Sequence, residues 1–282
     1  MRRFSRILAL LLATVAVALL TPTSSAKAIT NGFVDENNTY SNAGIFVVQR
    51  HRDGRLFGLC SGTLIAPTVF LTAGHCTEAF LVRIAPRGFT AFVSFDNPIP
   101  LGSLTDLKKT NLTPVTEVIT NPNFSQRRDD PGDIGVLILA AGSTSGITPA
   151  TLPTLDLLDQ LADKNGLRDA VFTLVGYGLQ DREEGGGPPV FTSVNPVPRM
   201  YAFSSFLALI PAFLRLSDNE ATGDGGACAG DSGGPSFLDV GGQRILVAIA
   251  VQADPPCKAI NDDYRLDIAS AREFLGQFVT LP

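Results

Sequence analysis

Tryptophan is missing from the 282 residues, and histidine and methionine occur only twice each. Two histidines, His51 and His75, and four cysteines without a single C-x-x-C pair leave no ligand cluster of the kind a structural zinc ion requires. Charge is thin as well. Asp, Glu, Lys and Arg make up 17% of the chain against 45% hydrophobic residues, a balance that permits a packed core and excludes wholesale disorder. No Lys/Arg cluster interleaved with aromatic side chains lies beyond residue 28, so nucleic acid is not an expected partner. Nor does any apolar run approach the roughly 20 residues that span a bilayer, so no stable membrane anchor is expected.

What is abundant points to turns. With 27 glycines and 19 prolines, the chain reads as an all-β protein of short antiparallel strands. Its start is different. Arg2, Arg3 and Arg6 precede an apolar run from Ile7 to Leu20, which gives way to Thr21-Pro22-Thr23-Ser24-Ser25. This is the layout of an export signal over residues 1–28, and the protein is expected to be secreted or periplasmic. Ala26-Lys27-Ala28 suits cleavage after Ala28, and Ser24-Ser25-Ala26 suits cleavage after Ala26. Losing residues 1–28 removes four basic residues and no acid, which takes the net charge from −5 to about −9. Asn37, Asn111 and Asn123 stand in Asn-x-Ser/Thr matches that matter only in a host that glycosylates. In an exported chain the even set Cys60, Cys76, Cys228 and Cys257 predicts disulfides, with three connectivities open.

Strand-like runs occur at Ile45–Gln49, Leu56–Ser61, Val69–Leu71, Phe80–Ile84, Ala91–Phe95, Val115–Thr120, Ile134–Leu139, Val171–Val175, Met200–Leu207 and Ile245–Val251. Turn residues separate them at short intervals, as in antiparallel barrels or a sandwich. Asp53-Gly54 predicts a hairpin tip that carries His51 into solvent. Gly185–Pro189 and Asp218–Gly226 read as surface loops. The stretch from Phe203 to Leu214 is apolar throughout and fits strand or helix equally. Ser270-Ala271-Arg272-Glu273 resembles a capping box opening a short C-terminal helix, with Phe274, Leu275 and Phe278 on one face.

Chemistry concentrates in three segments. In Gly230-Asp231-Ser232-Gly233-Gly234-Pro235, glycines around a serine free backbone N–H groups to converge on one point. Ser232 is a nucleophile candidate, and the N–H groups of Gly230 and Ser232 are candidates for an oxyanion hole. A serine hydroxyl needs a base, and His75 in Leu71-Thr72-Ala73-Gly74-His75-Cys76 is the better placed of the two histidines. A third group must orient the imidazole. Asp133 stands at the mouth of the apolar run Ile134–Leu139, with Asp129 and Asp130 as competitors.

These motifs, in the order His, Asp, Ser, resemble the chymotrypsin–trypsin family of serine peptidases from about Ile29 to the C-terminal helix. Cys60-Ser61-Gly62-Thr63-Leu64-Ile65 and Val175-Gly176-Tyr177-Gly178 add to the likeness. The resemblance implies two antiparallel six-stranded Greek-key β-barrels, about 29–148 and 149–282, with a short C-terminal helix. It implies a catalytic triad of His75, Asp133 and Ser232, disulfides Cys60–Cys76 and Cys228–Cys257, and activation by a freed Ile29 amine that pairs with Asp231. The implied reaction is hydrolysis of protein or peptide substrates by a monomer with no cofactor. A catalytically silent relative serving as a binding module is the alternative, while a G-x-S-x-G hydrolase would need another triad order.

Departures fall on the substrate pocket. The resemblance places Gly226 at its floor, where trypsins carry an aspartate, with Ala227 and Ala253 along its walls. Counting back from Tyr264 puts Asp262 at a further pocket position. An inward Asp262 would admit basic side chains; without it the pocket would favour apolar or small ones. Val251-Gln252 replaces the family's Ser-Trp, which removes a hydroxyl that would support Asp133.

Overall fold

Short strands that bury residues on both faces can do so only by curling round a core and packing against a second body, and the chain does this twice. The computed structural model describes residues 27–102, 110–125, 129–182, 190–192 and 194–282. Residues 1–26 of the expected export signal and the Gly185–Pro189 loop lie outside the described residues.

The first barrel is formed by β1 (Ala43–Arg50), β2 (Leu56–Ala66), β3 (Val69–Thr72), β4 (Phe89–Ser94), β5 (Thr113–Thr120) and β6 (Gly135–Leu139). It closes in the order β1-β2-β3-β6-β5-β4. The second barrel comprises β7 (Val171–Gly176), β8 (Met200–Leu209), β9 (Phe213–Ser217), β10 (Pro235–Val240), β11 (Gln243–Ala253) and β12 (Ile260–Arg265). Its closed order, β7-β8-β9-β12-β11-β10, repeats the topology of the first. The all-β, two-barrel expectation therefore holds. Phe33–Val34 pairs with β8, so the start of the described chain lies along the second barrel.

Each barrel has its own apolar filling, Phe46, Leu64, Phe70 and Val93 in the first and Phe172, Leu174, Met200 and Val247 in the second. A third cluster, including Ala43, Leu71 and Val136 of one barrel and Phe237, Ile249 and Tyr264 of the other, forms the seam between them.

Local differences from the sequence reading have simple causes. Phe80–Ile84 is helical, continuing α1 (Gly74–Ala79), because its apolar residues follow helical spacing. Phe80 buries against Phe46, with ring centroids 5.5 Å apart, while Leu81 and Val82 face outward. Between the barrels the chain forms a second short helix, α2 (Leu157–Ala162). Pro211 splits the ambiguous apolar stretch into β8 and β9, a strand pair with a tight turn. The C-terminal helix α3 (Ala269–Leu275) starts one residue before the supposed cap, with Ile268 at the N-cap and no side-chain cap bond. Ser270 instead sits in the first turn, where its hydroxyl lies 3.4 Å from Tyr264 Oη. The Asp-Gly hairpin forms as expected, with Gly54 at φ 64° and an exposed His51 whose Nε2 lies 2.8 Å from Thr90 Oγ1.

One charged side chain spans the seam. Arg199, fully buried just before β8, donates from Nε to Asp35 at 2.9 Å and from Nη1 to the Ala43 carbonyl at 3.0 Å and Tyr177 Oη at 3.1 Å. Its Nη2 donates to Asn38. Asp35 also accepts the N–H groups of Thr39 at 2.7 Å and Tyr40 at 3.1 Å. Removing one partner would leave the other as an uncompensated buried charge, at a cost of about 3–5 kcal/mol. Arg199→Met and Asp35→Asn are each expected to lower the urea unfolding free energy by that order. The combined Asp35→Asn/Arg199→Met variant should lose less than the two losses summed, a non-additivity that equilibrium urea titration measures.

Candidate active site

β3 leaves the first barrel beside β6, and this pairing decides which side chains meet at the barrel rim. Thr72 pairs with Gly135, so the residues just beyond β3 and just before β6 emerge there together. They bring His75 in α1 against Asp133 ahead of β6. Asp133 accepts the His75 backbone N–H at 2.8 Å with Oδ1 and faces His75 Nδ1 at 2.9 Å with Oδ2. An ionised carboxylate only accepts, so the proton sits on Nδ1 and Nε2 presents its lone pair outward. Gly74 permits this approach, since a Cβ there would lie 2.9 Å from Ile134 N and 3.2 Å from Asp133 Oδ1. The Asp133 side chain is 12% exposed and that of His75 36%. The hydroxyl missing at Val251 is not replaced: among the described residues the Asp133 carboxylate is hydrogen-bonded only by His75.

Cys60 and Cys76 form a disulfide with Cα atoms 6.4 Å apart, tying α1 to β2. Cys228 and Cys257 form the second, with Cα atoms 5.4 Å apart. Both sulfurs near His75 are thus spent on each other and offer no thiolate to a metal.

Ser232 lies in the turn that leads into β10, and the first barrel holds that turn. Ser61 N donates to the Ser232 carbonyl at 2.9 Å, and Ser61 Oγ donates to the Gly230 carbonyl at 3.0 Å while accepting from Tyr177 N at 3.0 Å. Ser61 was legible only as part of a motif; its two-way hydroxyl bond is a positioning role that depends on the barrels being docked. Gly233, at φ 80°, passes so close to the first barrel that a Cβ would fall 2.6 Å from Ala73 N. The N–H groups of Gly230 and Ser232 donate to no partner among the described residues. Ser232 Oγ is not hydrogen-bonded to His75, whose groove shares the wall Val251–Gln252 with the pocket beside Ser232.

Asp231 is fully buried and accepts from Gly178 N at 2.7 Å and Cys228 N at 3.0 Å. Burial pushes its pKa up to about 7 against the pull of these donors. Ile29, also buried, makes no hydrogen bond to Asp231 in this uncut chain. Its neighbour Thr30 is already docked, exchanging backbone bonds with Gly226 at 3.0 and 3.2 Å.

The pocket beside Ser232, about 330 Å³, is lined by Ala227, Ala253, Asp254 and Asn261 among others. Two expectations need correction. Gly226 is not part of the lining, because the volume a side chain there would occupy is filled: its Cβ would fall 1.7 Å from Asp218 Oδ1. Asp262 does not enter the pocket. β11–β12 pairing sets Ala253 opposite Asn261 and Gln252 opposite Asp262, so the count from Tyr264 is one residue out. A slip of one residue turns a strand side chain to the other face. Asp262 instead forms a two-bond ion pair with Arg215 at 2.7 and 2.8 Å, beside the groove that holds His75 and Asp133.

Behind the pocket lie two buried acids that sequence reasoning missed. Asp218, at the end of β9, has both carboxylate oxygens buried without a hydrogen-bond partner, and Asn261 Oδ1 is equally unpartnered. Burial, reinforced by Asp263, pushes the Asp218 pKa up to about 8. Asp263 accepts from Ser236 and Asn261 and is pushed by burial to about 7. For Asp263 a signal existed in the polar run Asn261-Asp262-Asp263 within Ile260–Arg265, a strand in which Asn261, Asp263, Tyr264 and Arg265 are buried.

The Trypsin family model matches residues 33–269. A vitellin-degrading protease of Bombyx mori is 30% identical over 183 residues, 62% of this chain. The match spans 61% of that protein, less than two thirds of its length.

The buried acids give a pH signature. Asp218, Asp231 and Asp263 all sit above the ordinary carboxylate value of 3.8, so between about pH 4 and 8 the folded chain binds more protons than the unfolded one. Their effect is most favourable below that window, and stability falls as pH rises through it. Urea unfolding of the uncut chain should show this slope. Asp218→Asn and Asp263→Asn should each flatten it, and an unchanged slope in both would count against buried ionisable groups here.

Proposed function

The chain belongs to the trypsin family, and from that premise we propose that it is an exported serine endopeptidase with Ser232 as nucleophile. The observation that carries this reading is the double grip of Asp133 on His75, which leaves Nε2 as an acceptor in a groove that shares the wall Val251–Gln252 with the pocket beside Ser232. Ser232 Oγ attacks the scissile carbonyl as His75 Nε2 takes its proton. Asp133 holds the tautomer and stabilises the imidazolium, and the negative oxygen is received by the free N–H groups of Gly230 and Ser232. His75 returns the proton to the leaving amine. Water, deprotonated by the same nitrogen, then releases the acyl group from Ser232. Protein or peptide chains are the substrates of this reading, and none of these steps calls for a metal or organic cofactor. The separation of Ser232 from His75 in the empty chain is compatible with a contact that tightens on substrate binding.

Activation fits the same reading. Cleavage after Ala28 would free the Ile29 amine next to a segment already docked on Gly226, and the new ammonium would neutralise the buried Asp231. The pairing raises the ammonium pKa above its ordinary 7.7–8.0 or so, so its contribution is complete below that range and fades as pH climbs through the raised value.

Two measurements test this. A fluorophosphonate probe should label the processed protein at Ser232, and Ser232→Ala or His75→Ala should cut turnover by about 10⁴–10⁶, with the double variant little worse than either. Absence of labelling in correctly processed protein would favour the silent binding module. N-terminal sequencing should find Ile29 first, and one added residue before it should abolish activity; full activity from a chain that begins at Lys27 would refute export-coupled activation.

A further inference from the structure

Charge is spread unevenly over this acidic chain. Residues 50–90 hold five arginines, Arg50, Arg52, Arg55, Arg83 and Arg87, against two acids, Asp53 and Glu78. Residues 29–49 and 91–282 hold 13 basic and 25 acidic groups, so a segment of net charge +3 stands on a body of −12. The fold gathers the two halves of that segment. Arg50 pairs with Phe89 across β1 and β4, and His51 N donates to the Gly88 carbonyl at 2.9 Å. The hairpin tip therefore lies against the turn that follows Arg83 and Arg87. Asp53 is spent within the hairpin, where Arg50 grips it through Nε and Nη2 and lies over the Phe57 ring. Arg52, Arg55, Arg83 and Arg87 are exposed. Among the described residues only Arg52 comes near an acid, its Nε 3.6 Å from Asp53. Arg55 Nε donates to the Gly102 carbonyl at 2.8 Å and Arg87 Nη1 to the Arg83 carbonyl, which anchors each guanidinium at one nitrogen and leaves the others open. Leu81 and Val82, 43% and 66% exposed, precede Arg83 on the same helical run.

We propose that Arg52, Arg55, Arg83 and Arg87, with Leu81 and Val82 beside them, form a docking surface for an acidic, partly apolar polypeptide segment of the substrate, outside the catalytic groups. The substrate role rests on the peptidase reading above; the surface itself does not. Open guanidinium groups match carboxylates in planar two-bond pairs, a geometry that lysine cannot offer, and every cation here is arginine. Screening at physiological ionic strength sets in beyond about 8 Å, so a segment at this face meets the local positive charge and not the acidic body. Elsewhere on the chain the same segment meets an excess of acid, which orients its approach toward this face. The aliphatic pair decides the class of partner. Nucleobases seek aromatic faces to stack on, and a sulfated polysaccharide has nothing to cover Leu81 and Val82. A polypeptide covers them with its own apolar side chains. Position connects the surface to the candidate active site. The helical run that ends at Arg87 begins in α1 with His75. On the hairpin side, Arg55 is bonded to Gly102, which lines a cavity of about 320 Å³ together with Leu56, Leu59, Leu101 and, at the serine turn, Gly230. A chain held at Ser232 reaches the arginines through that cavity.

A short fluorescent peptide of glutamates interspersed with Leu and Phe tests the surface without requiring turnover. By fluorescence anisotropy it should bind processed Ser232→Ala protein, and less tightly as salt rises. Arg83→Glu/Arg87→Glu should weaken binding about 10-fold or more. Val82→Ser should weaken it several-fold and leave the salt dependence in place. All three side chains are exposed, so both variants are expected to fold. In the active enzyme, Arg83→Glu/Arg87→Glu should lower kcat/KM about 10-fold on a peptide substrate carrying the acidic segment and leave the same substrate without it unchanged. Peptide binding that neither variant alters would overturn the surface. Dextran sulfate or single-stranded DNA binding at these arginines, with no binding of the peptide, would overturn the polypeptide assignment. Fluorophosphonate labelling of Ser232 without peptide binding would overturn this proposal and leave the peptidase intact. Peptide binding without labelling would instead remove the peptidase reading, and with it the substrate role of the bound segment.

Discussion

Everything at the candidate site depends on the seam between two barrels that each close on themselves. His75 and Asp133 belong to the first and Ser232 to the second, so their relation is set by docking and not by any strand they share. The buried Arg199 fixes that docking from the side of the second barrel, with bonds to Asp35, to the Ala43 carbonyl and to Tyr177. Ser61 fixes it from the first, reaching the carbonyls of both Gly230 and Ser232. Both are polar contacts embedded in an apolar interface, and each group's alternative partner, water, is excluded there. Such contacts contribute modestly to net stability while strongly penalising any misaligned arrangement.

The second barrel tolerates an unusual density of unneutralised acid. Asp218, Asp231 and Asp263 are all held well above their ordinary values by burial. Asp231 gains backbone donors, and Asp263 gains Ser236 and Asn261, but Asp218 gains nothing. Local stability is thereby given up in one small region around the serine turn. Regions with strongly perturbed carboxylates are commonly functional ones, where stability is given up locally.

Much of this was legible in sequence because it was local. Gly230–Pro235, the segment around His75 and the run after Asp133 each carry their chemistry within a few residues, and the disulfide pairing implied by the family resemblance, not fixed by cysteine number alone, is the one found. Apolar runs marked the strands of the first barrel and part of the second, but Phe213–Ser217, Pro235–Val240 and the polar Ile260–Arg265 were not singled out. Phe80–Ile84 failed because the short apolar cluster Phe80-Leu81-Val82 resembles a strand, while the pair that packs inward, Phe80 and Ile84, stands at the helical spacing of four. The pocket failed for a different reason. Which of Asn261 and Asp262 faces inward depends on register across β11–β12, where an irregularity between Ala250 and Gln252 shifts the pairing by one residue. Asp218 could not be found by counting at all, since it reaches its place across the space left by a glycine eight residues later in the chain.

That shared space makes Asp218 and Gly226 mutually exclusive rather than independent. A side chain at position 226 needs the volume that the Asp218 carboxylate fills, and Asp218 can stay only while position 226 has no Cβ. The pair is therefore epistatic. A larger residue at 226 is admissible only where residue 218 has shrunk, and an intermediate carrying both side chains is crowded while one carrying neither holds a void, so each position drifts only in step with the other.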